Sequence, residues 1–205
     1  MKTKTTRGTR MNPLKSIPGT IICGFAVAII FAWLHGEPTL NKLSLVVWLH
    51  VIAGVVWIGL LYYFNFVQVP AVAEGNADTD GPGPAGINKY AAPRALLWFR
   101  WGAVVTWLTG AAALELTGIG LKDAFTLAAG SEVIGIGAWL GTIMLFNVWV
   151  LIWPNQKKVL GIVEASDEEK ASARVTALMA SRTNTLLSIP MLMCMVAYGH
   201  AGLPF

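Results

Sequence analysis

Charge is scarce in this chain. Only 13% of its 205 residues are Asp, Glu, Lys or Arg, against 55% hydrophobic residues, and its mean hydropathy is +0.60. Soluble domains carry roughly a quarter of their residues as charges, so the composition excludes an ordinary water-soluble fold and indicates a membrane protein. Basic residues form no face outside the amino-terminal tail, which argues against a nucleic-acid partner. Cysteine is rarer still, with Cys23 and Cys194 alone. Neither belongs to a CxxC or a CxxCH, which counts against cysteine-held zinc and covalent c-type haem. Both sit in apolar stretches and read as small packing residues. Asp78 to Gly81 spells DTDG, but it has too few acids and no closing glutamate for a calcium loop.

What is abundant is apolar sequence in long runs. Five spans are expected, at about 17–34, 43–69, 96–116, 133–154 and 180–203, each near the length that crosses a bilayer. The first follows a basic start, as a signal peptide would. It has no small-x-small site at its end, however, and reads as an uncleaved span. Residues 1–16 then form a basic cytoplasmic tail, and 17–205 a single transmembrane domain. Pro70 marks the exit of the second span, and residues 71–95 read as a flexible Ala-, Gly-, Pro- and Asp-rich loop. Ser166 with Glu169 fits a capping box, so a helix is expected from Asp167 and could run on through the fifth span as one rod, relaxed or kinked at Pro190. Gly135, Gly137 and Gly141 make one stretch narrow enough for close helix contact.

The basic residues orient the spans. With the amino terminus inside, the cytoplasmic segments collect Lys2, Lys4, Arg7, Arg10, Lys15, Lys89, Arg94, Lys157, Lys158, Lys170 and Arg174, while the outer loops hold only Lys42 and Lys122. Five spans place the carboxy terminus in the periplasm. The expected fold is thus an all-α bundle of five helices in the inner membrane of a bacterium. Trp33, Trp48, Trp98, Trp101, Trp149 and Trp153 lie near the expected interfaces, as an aromatic belt does.

The second span carries side chains that lipid does not favour. At 100° per residue, His50, Gly54, Leu61, Asn65 and Gln68 fall on one side of a helix. An imidazole can ligate a metal, and a glycine one turn on lets a flat cofactor approach the backbone. The same pair could instead serve helix packing alone. The topology brings His35, His50 and His200 toward the outer face. Two imidazoles on separate helices suit the two axial positions of a haem b, with His50 and His200 as the first choice and His35 as the alternative ligand or a propionate partner. Copper or zinc on the three histidines is a further reading. Arg100 and Arg182 either reach the inner headgroups or bind an anion such as a propionate or a substrate. Asn65, Gln68, Asn147 and Asn184 either bond helix to helix or line a polar pocket. Glu115 is expected near the outer interface.

Four strings, LHVIAGVVWIGLLYYFNFVQVP, WFRWGAVVTWLTG, NVWVLIWPNQKK and SRTNTLLSIPM, together resemble the membrane domain of the bacterial cytochrome c-linked urate hydroxylases, the urate oxidase N-terminal domain family. The resemblance runs from about Trp48 to His200. The first string also looks, more distantly, like the membrane haem proteins related to bacterial protoporphyrinogen oxidase, through the pattern W-x-H-x₃-G-x₂-W on Trp48, His50, Gly54 and Trp57. The resemblance implies a membrane oxidoreductase of purine metabolism that hydroxylates urate and passes electrons to cytochrome c. Its site residues would be His50 and His200 on haem b, with Gly54 beside it and Arg100, Asn147, Arg182 and Asn184 toward propionates or substrate. The family carries a cytochrome c domain after its last span, and no CxxCH occurs in these 205 residues. The expected partner is therefore a separate periplasmic cytochrome c. The alternatives are a non-catalytic accessory subunit of a larger membrane complex and a haem-handling enzyme of tetrapyrrole synthesis.

Overall fold

A computed structural model describes residues 12–36, 39–200 and 202–204. The tail residues Lys2, Lys4, Arg7 and Arg10, and Pro38 at the first turn, lie outside the described residues. The regular secondary structure among the described residues is all helical, with no strand. They fall into two units, Met1–Asn41 and Lys42–Phe205.

The first unit holds a 3₁₀ turn, Pro13–Lys15, and helix α1, Ile17–His35. Ser16 caps α1 by accepting from the Gly19 amide at 3.2 Å, and Pro18 occupies the first turn, where its missing N–H is harmless. No charged residue falls between Ile17 and Leu34.

The second unit contains α2 (Lys42–Tyr63), α3 (Val69–Ala77), α4 (Ala92–Leu116), α5 (Gly120–Phe125), α6 (Glu132–Phe146), α7 (Trp153–Val159) and α8 (Asp167–Gly199). Three π-helical turns interrupt the ladder: Phe64–Gln68 joins α2 to α3, Ile87–Ala91 leads into α4, and Asn147–Ile152 joins α6 to α7. Each is followed by a proline at the second residue of the next helix: Pro70, Pro93 and Pro154. The residue just before each proline donates five positions back, Val69 to Phe64, Ala92 to Ile87 and Trp153 to Val148. The cause is steric. A proline ring collides with the carbonyl four residues earlier and offers no N–H, and a widened turn moves that carbonyl away. The chain therefore passes through Pro70 instead of ending its helix there. The Ala-rich residues after it stay helical, and only residues 78–84 lie outside helical turns in the stretch expected to be a loop.

α2 packs along α4, α4 against α6, and α6 with α7 against α8. Trp57, Leu61 and Phe64 meet Leu96, Phe99 and Ala103, and Met144, Val148 and Ile152 close the same core from the α6 side. On α8 the buried face is mostly small: Ala173, Ala177, Ala180, Asn184, Ser188, Cys194 and Ala197. Small residues let helices approach where lipid gives no hydrophobic drive. Gly137 receives Cys194 and Met195, both 3.1 Å from where a Cβ would stand, and a Cβ on Gly135 would overlap the Ala124 carbonyl. Gly141 has nothing within 4 Å, so it does not share that role. The capping box is present, with Ser166 and Glu169 exchanging bonds at 3.2 and 2.9 Å, and α8 runs as one rod through Pro190. It stops at Gly199, short of the expected 203, because His200 takes a non-helical backbone conformation.

Among the described residues, three helical stretches are long and apolar enough to cross a membrane: Ile17–His35, Lys42–Ala77 and Glu132–Val159.

Candidate functional site

His50 is half-buried on α2, and what positions it is a stripe of small residues on α4. Gly102, Thr106 and Gly110 recur every four residues and so share one face of that helix. A Cβ on Gly102 would come within 3.4 Å of the Trp57 amide nitrogen, so the two backbones cross closely there. Thr106 keeps its hydroxyl on the Gly102 carbonyl at 2.7 Å. At Gly110 the missing side chain leaves a notch that the imidazole fills: a Cβ there would stand 2.9 Å from His50 Cε1 and 3.2 Å from Nδ1. Gly54, one turn on from His50, faces the Thr106 methyl at 3.8 Å, an ordinary packing distance.

The hydrogen bonds fix the chemistry of the ring. His50 Nδ1 lies 2.8 Å from the Thr106 carbonyl oxygen. A carbonyl only accepts, so Nδ1 carries the proton and Nε2 keeps its lone pair. The Thr109 hydroxyl is 3.4 Å from Nδ1 but donates more closely to the Val105 carbonyl, at 2.6 Å. Among the described residues Nε2 has no partner. A histidine whose Nδ1–H is held by a backbone carbonyl, with Nε2 open, is arranged as metal-bound histidines are.

The other sequence-predicted residues are dispersed. His200 follows the last turn of α8, exposed, with Nδ1 3.0 Å from the Val196 carbonyl of its own helix. That bond leaves its Nε2 open in the same way. Arg182 is exposed too. His35 ends α1, in the other unit. Asn147 and Asn184 do meet: Asn147 Nδ2 donates to Asn184 Oδ1 at 2.8 Å, and Asn184 Nδ2 donates to the Met144 carbonyl at 3.0 Å. Both are buried and bonded, which is the arrangement of an interhelical clasp. Asn65 donates to the Leu61 carbonyl and to Ser181 Oγ at 2.9 and 2.8 Å, tying the π-turn to α8. Arg100 lies flat on Trp153, 3.8 Å from the ring centroid. Glu115 accepts from the Leu121 amide at 2.8 Å. No group of three or more His, Cys, Asp or Glu side chains is placed to hold a metal ion among the described residues. An apolar groove of about 380 Å³ between α4 and α6, lined by Val104, Trp107, Thr142, Leu145, Phe146 and Trp149, shares none of the notch residues.

Sequence reasoning found His50 and Gly54 but missed their partners, Thr106 and Gly110. The signal was there, as small residues four apart in WGAVVTWLTG.

The urate oxidase N-terminal family model matches residues 115–204. The match supports the family read from the sequence strings. It spans Asn147, Arg182, Asn184 and His200, and stops short of the notch formed by His50, Thr106 and Gly110. No curated protein and no solved structure matches the chain.

Proposed function

We propose that this chain is a urate-hydroxylase-like oxidoreductase module of the bacterial inner membrane, in which His50 would help hold haem b. The observation that carries the reading is the 2.8 Å bond from His50 Nδ1 to the Thr106 carbonyl, which leaves Nε2 as a nitrogen donor inside a helical bundle. At this end Gly110 gives the ring its seat, while Gly54 faces the Thr106 methyl and lets α2 pack on α4. His200 is the second nitrogen donor of the same tautomer, and His35 the alternative. When bound, haem b supplies a one-electron carrier. The protein's part is to hold the His50 proton on Nδ1, to keep bulk water from the buried side of the ring, and to set the site beneath the outer leaflet. Electrons removed from urate would leave there to a periplasmic cytochrome c. The proposed topology is five spans, with the amino terminus in the cytoplasm and the carboxy terminus in the periplasm.

The polar residues divide by position. Arg182 lies about 27 Å along α8 from His200 at 1.5 Å per residue. An anion held by Arg182 is therefore at the inner end, and substrate is its candidate ligand. Using Asn147 or Asn184 for a ligand would require opening their mutual bond.

The test is a pyridine haemochrome spectrum of the purified chain, followed by urate-dependent reduction of added cytochrome c. We expect a b-type spectrum that is lost in His50→Ala and weakened in His200→Ala. A colourless protein that always co-purifies with a larger complex would replace this reading with that of a non-catalytic subunit. Haem-replete protein that leaves cytochrome c oxidised in the presence of urate would retain the haem site, remove the urate chemistry, and favour the tetrapyrrole-handling alternative.

A further inference from the structure

The two salt bridges among the described residues are Lys158 with Glu169 and Lys170 with Asp167, at 3.5 and 3.7 Å. Arg100 on α4 and Lys157 on α7 have no carboxylate partner among those residues, yet they converge on one indole. The Arg100 guanidinium carbon is 3.8 Å from the Trp153 centroid and the Lys157 ammonium 5.9 Å from it. Two cations so placed are at most about 10 Å apart, one Debye length at ordinary salt, and repel each other. The ring face attracts each of them but does not neutralise either. Stacking also occupies only the face of the guanidinium. Its five N–H donors lie in the plane, at the edge, and none is used in a hydrogen bond among the described residues. A planar fork of unused donors with a second cation nearby matches the oxygens of a phosphate group.

The position adds to this. Trp153 begins α7 directly after the π-turn Asn147–Ile152, at the end of the bundle that the basic residues mark as cytoplasmic. Tryptophan and basic residues at that depth meet lipid phosphates.

We infer that Arg100, Trp153 and Lys157 form a binding site for a phosphate-bearing anion at the inner end of the bundle. Arg100 takes two phosphate oxygens through its edge, Lys157 supplies the second positive charge, and Trp153 holds the guanidinium plane in orientation. The inference does not depend on the haem or urate readings. A lipid phosphodiester and free phosphate share this chemistry.

The test titrates the full chain, purified in a neutral maltoside detergent, with short-chain phosphatidylglycerol, with phosphatidylcholine of equal chain length, and with inorganic phosphate, reading apparent Kd by thermophoresis. Phosphatidylglycerol should bind at least ten-fold tighter than phosphatidylcholine. Arg100→Gln should weaken phosphatidylglycerol binding ten-fold or more, and Lys157→Gln by three- to ten-fold. Arg100→Lys, which keeps the charge but loses the fork, should fall between wild type and Arg100→Gln. Arg174→Gln, an exposed arginine on α8, should stay within two-fold. Inorganic phosphate that competes at millimolar concentration assigns the site to the free anion, and lack of competition assigns it to lipid. Equal affinity for the two lipids in a sample that binds no phosphate overturns the site. So does an Arg100→Gln variant of wild-type thermal stability that binds like Arg174→Gln.

Discussion

At position 110 one hydrogen atom stands where any other residue has a carbon. Gly110→Ala places that carbon 2.9 Å from His50 Cε1, so the imidazole must leave its seat or α4 must shift. Overpacking of this kind costs about 1–3 kcal/mol. Gly110→Ala should therefore lower the melting temperature in detergent and reduce haem retention together. An unchanged melt at full haem content would place the imidazole outside the notch. The Asn147–Asn184 clasp gives a second residue-level prediction. Asn184 is fully buried, and Asn184→Ala leaves the Asn147 amide without its acceptor, a loss of about 1–3 kcal/mol where the group stays dry. Asn147→Ala with Asn184→Ala should cost clearly less than the two singles added, because both remove the same bond. Strict additivity in chemical unfolding would mean the amides do not meet. Helical projection alone singled out His50 and Gly54, since a histidine in an apolar run is visible in one dimension. Their seat on α4 showed only as small residues four apart. Gly102, Thr106 and Gly110 carry no chemistry of their own, and their meaning appears only once α2 is known to be the neighbour. The Arg100–Trp153 stack was hidden for the same reason, being a contact across 53 positions of chain.

Element boundaries follow local rules that were partly legible. The capping box at Ser166 and Glu169 located the start of α8, because its residues bond within one turn. The prolines misled: Pro70 reads as a terminator, but a π-turn upstream absorbs it, and nothing in composition announces a widened turn. Acid should act on the cap. The Ser166 backbone N–H, and after it the Lys158 charge, hold the Glu169 carboxyl below its ordinary 4.5. Bonding within its own turn and to Ser166 does the same for Glu168. A lowered folded-state pKa contributes stability above the unfolded value and loses it as pH falls through the folded one. The first turn of α8 should therefore keep its order at neutral pH and fray only below about pH 4.5. Both groups are exposed, so the effect stays local. Amide exchange at residues 167–170 reads it. Glu169→Gln should reduce the acid dependence to the share that Glu168 carries, while Ser166→Ala should fray the turn at every pH. Fraying of wild type that begins near neutral pH would show that the carboxylate does not hold the cap.

At the scale of the molecule, the open matter is how many rods cross the bilayer. Hydropathy marks α1, α2 with α3, and α6 with α7. It misses α4 and α8 because α4 carries Arg94, Arg100 and Glu115, and because the first half of α8 is polar. Packing argues the remainder. α4 lies along α2, and α8 along α6 and α7, and the proposed five-span topology has both cross beside them. The 25 residues of α4 extend about 37 Å, enough to span the hydrocarbon. On that proposed topology the loops alternate sides, with residues 78–84 and 160–166 inside and 117–131 outside. Single cysteines on a Cys23→Ala, Cys194→Ala background test this, at Asp80→Cys, Lys122→Cys and Glu164→Cys, all exposed positions. A membrane-impermeant maleimide added to intact spheroplasts should label the Lys122→Cys variant alone, and inverted vesicles should label the other two. If the variants at 80 and 122 react from the same side, α4 does not cross. The notch it forms around His50 would then belong to no transmembrane bundle, and the route of electrons to a periplasmic carrier would have to be abandoned.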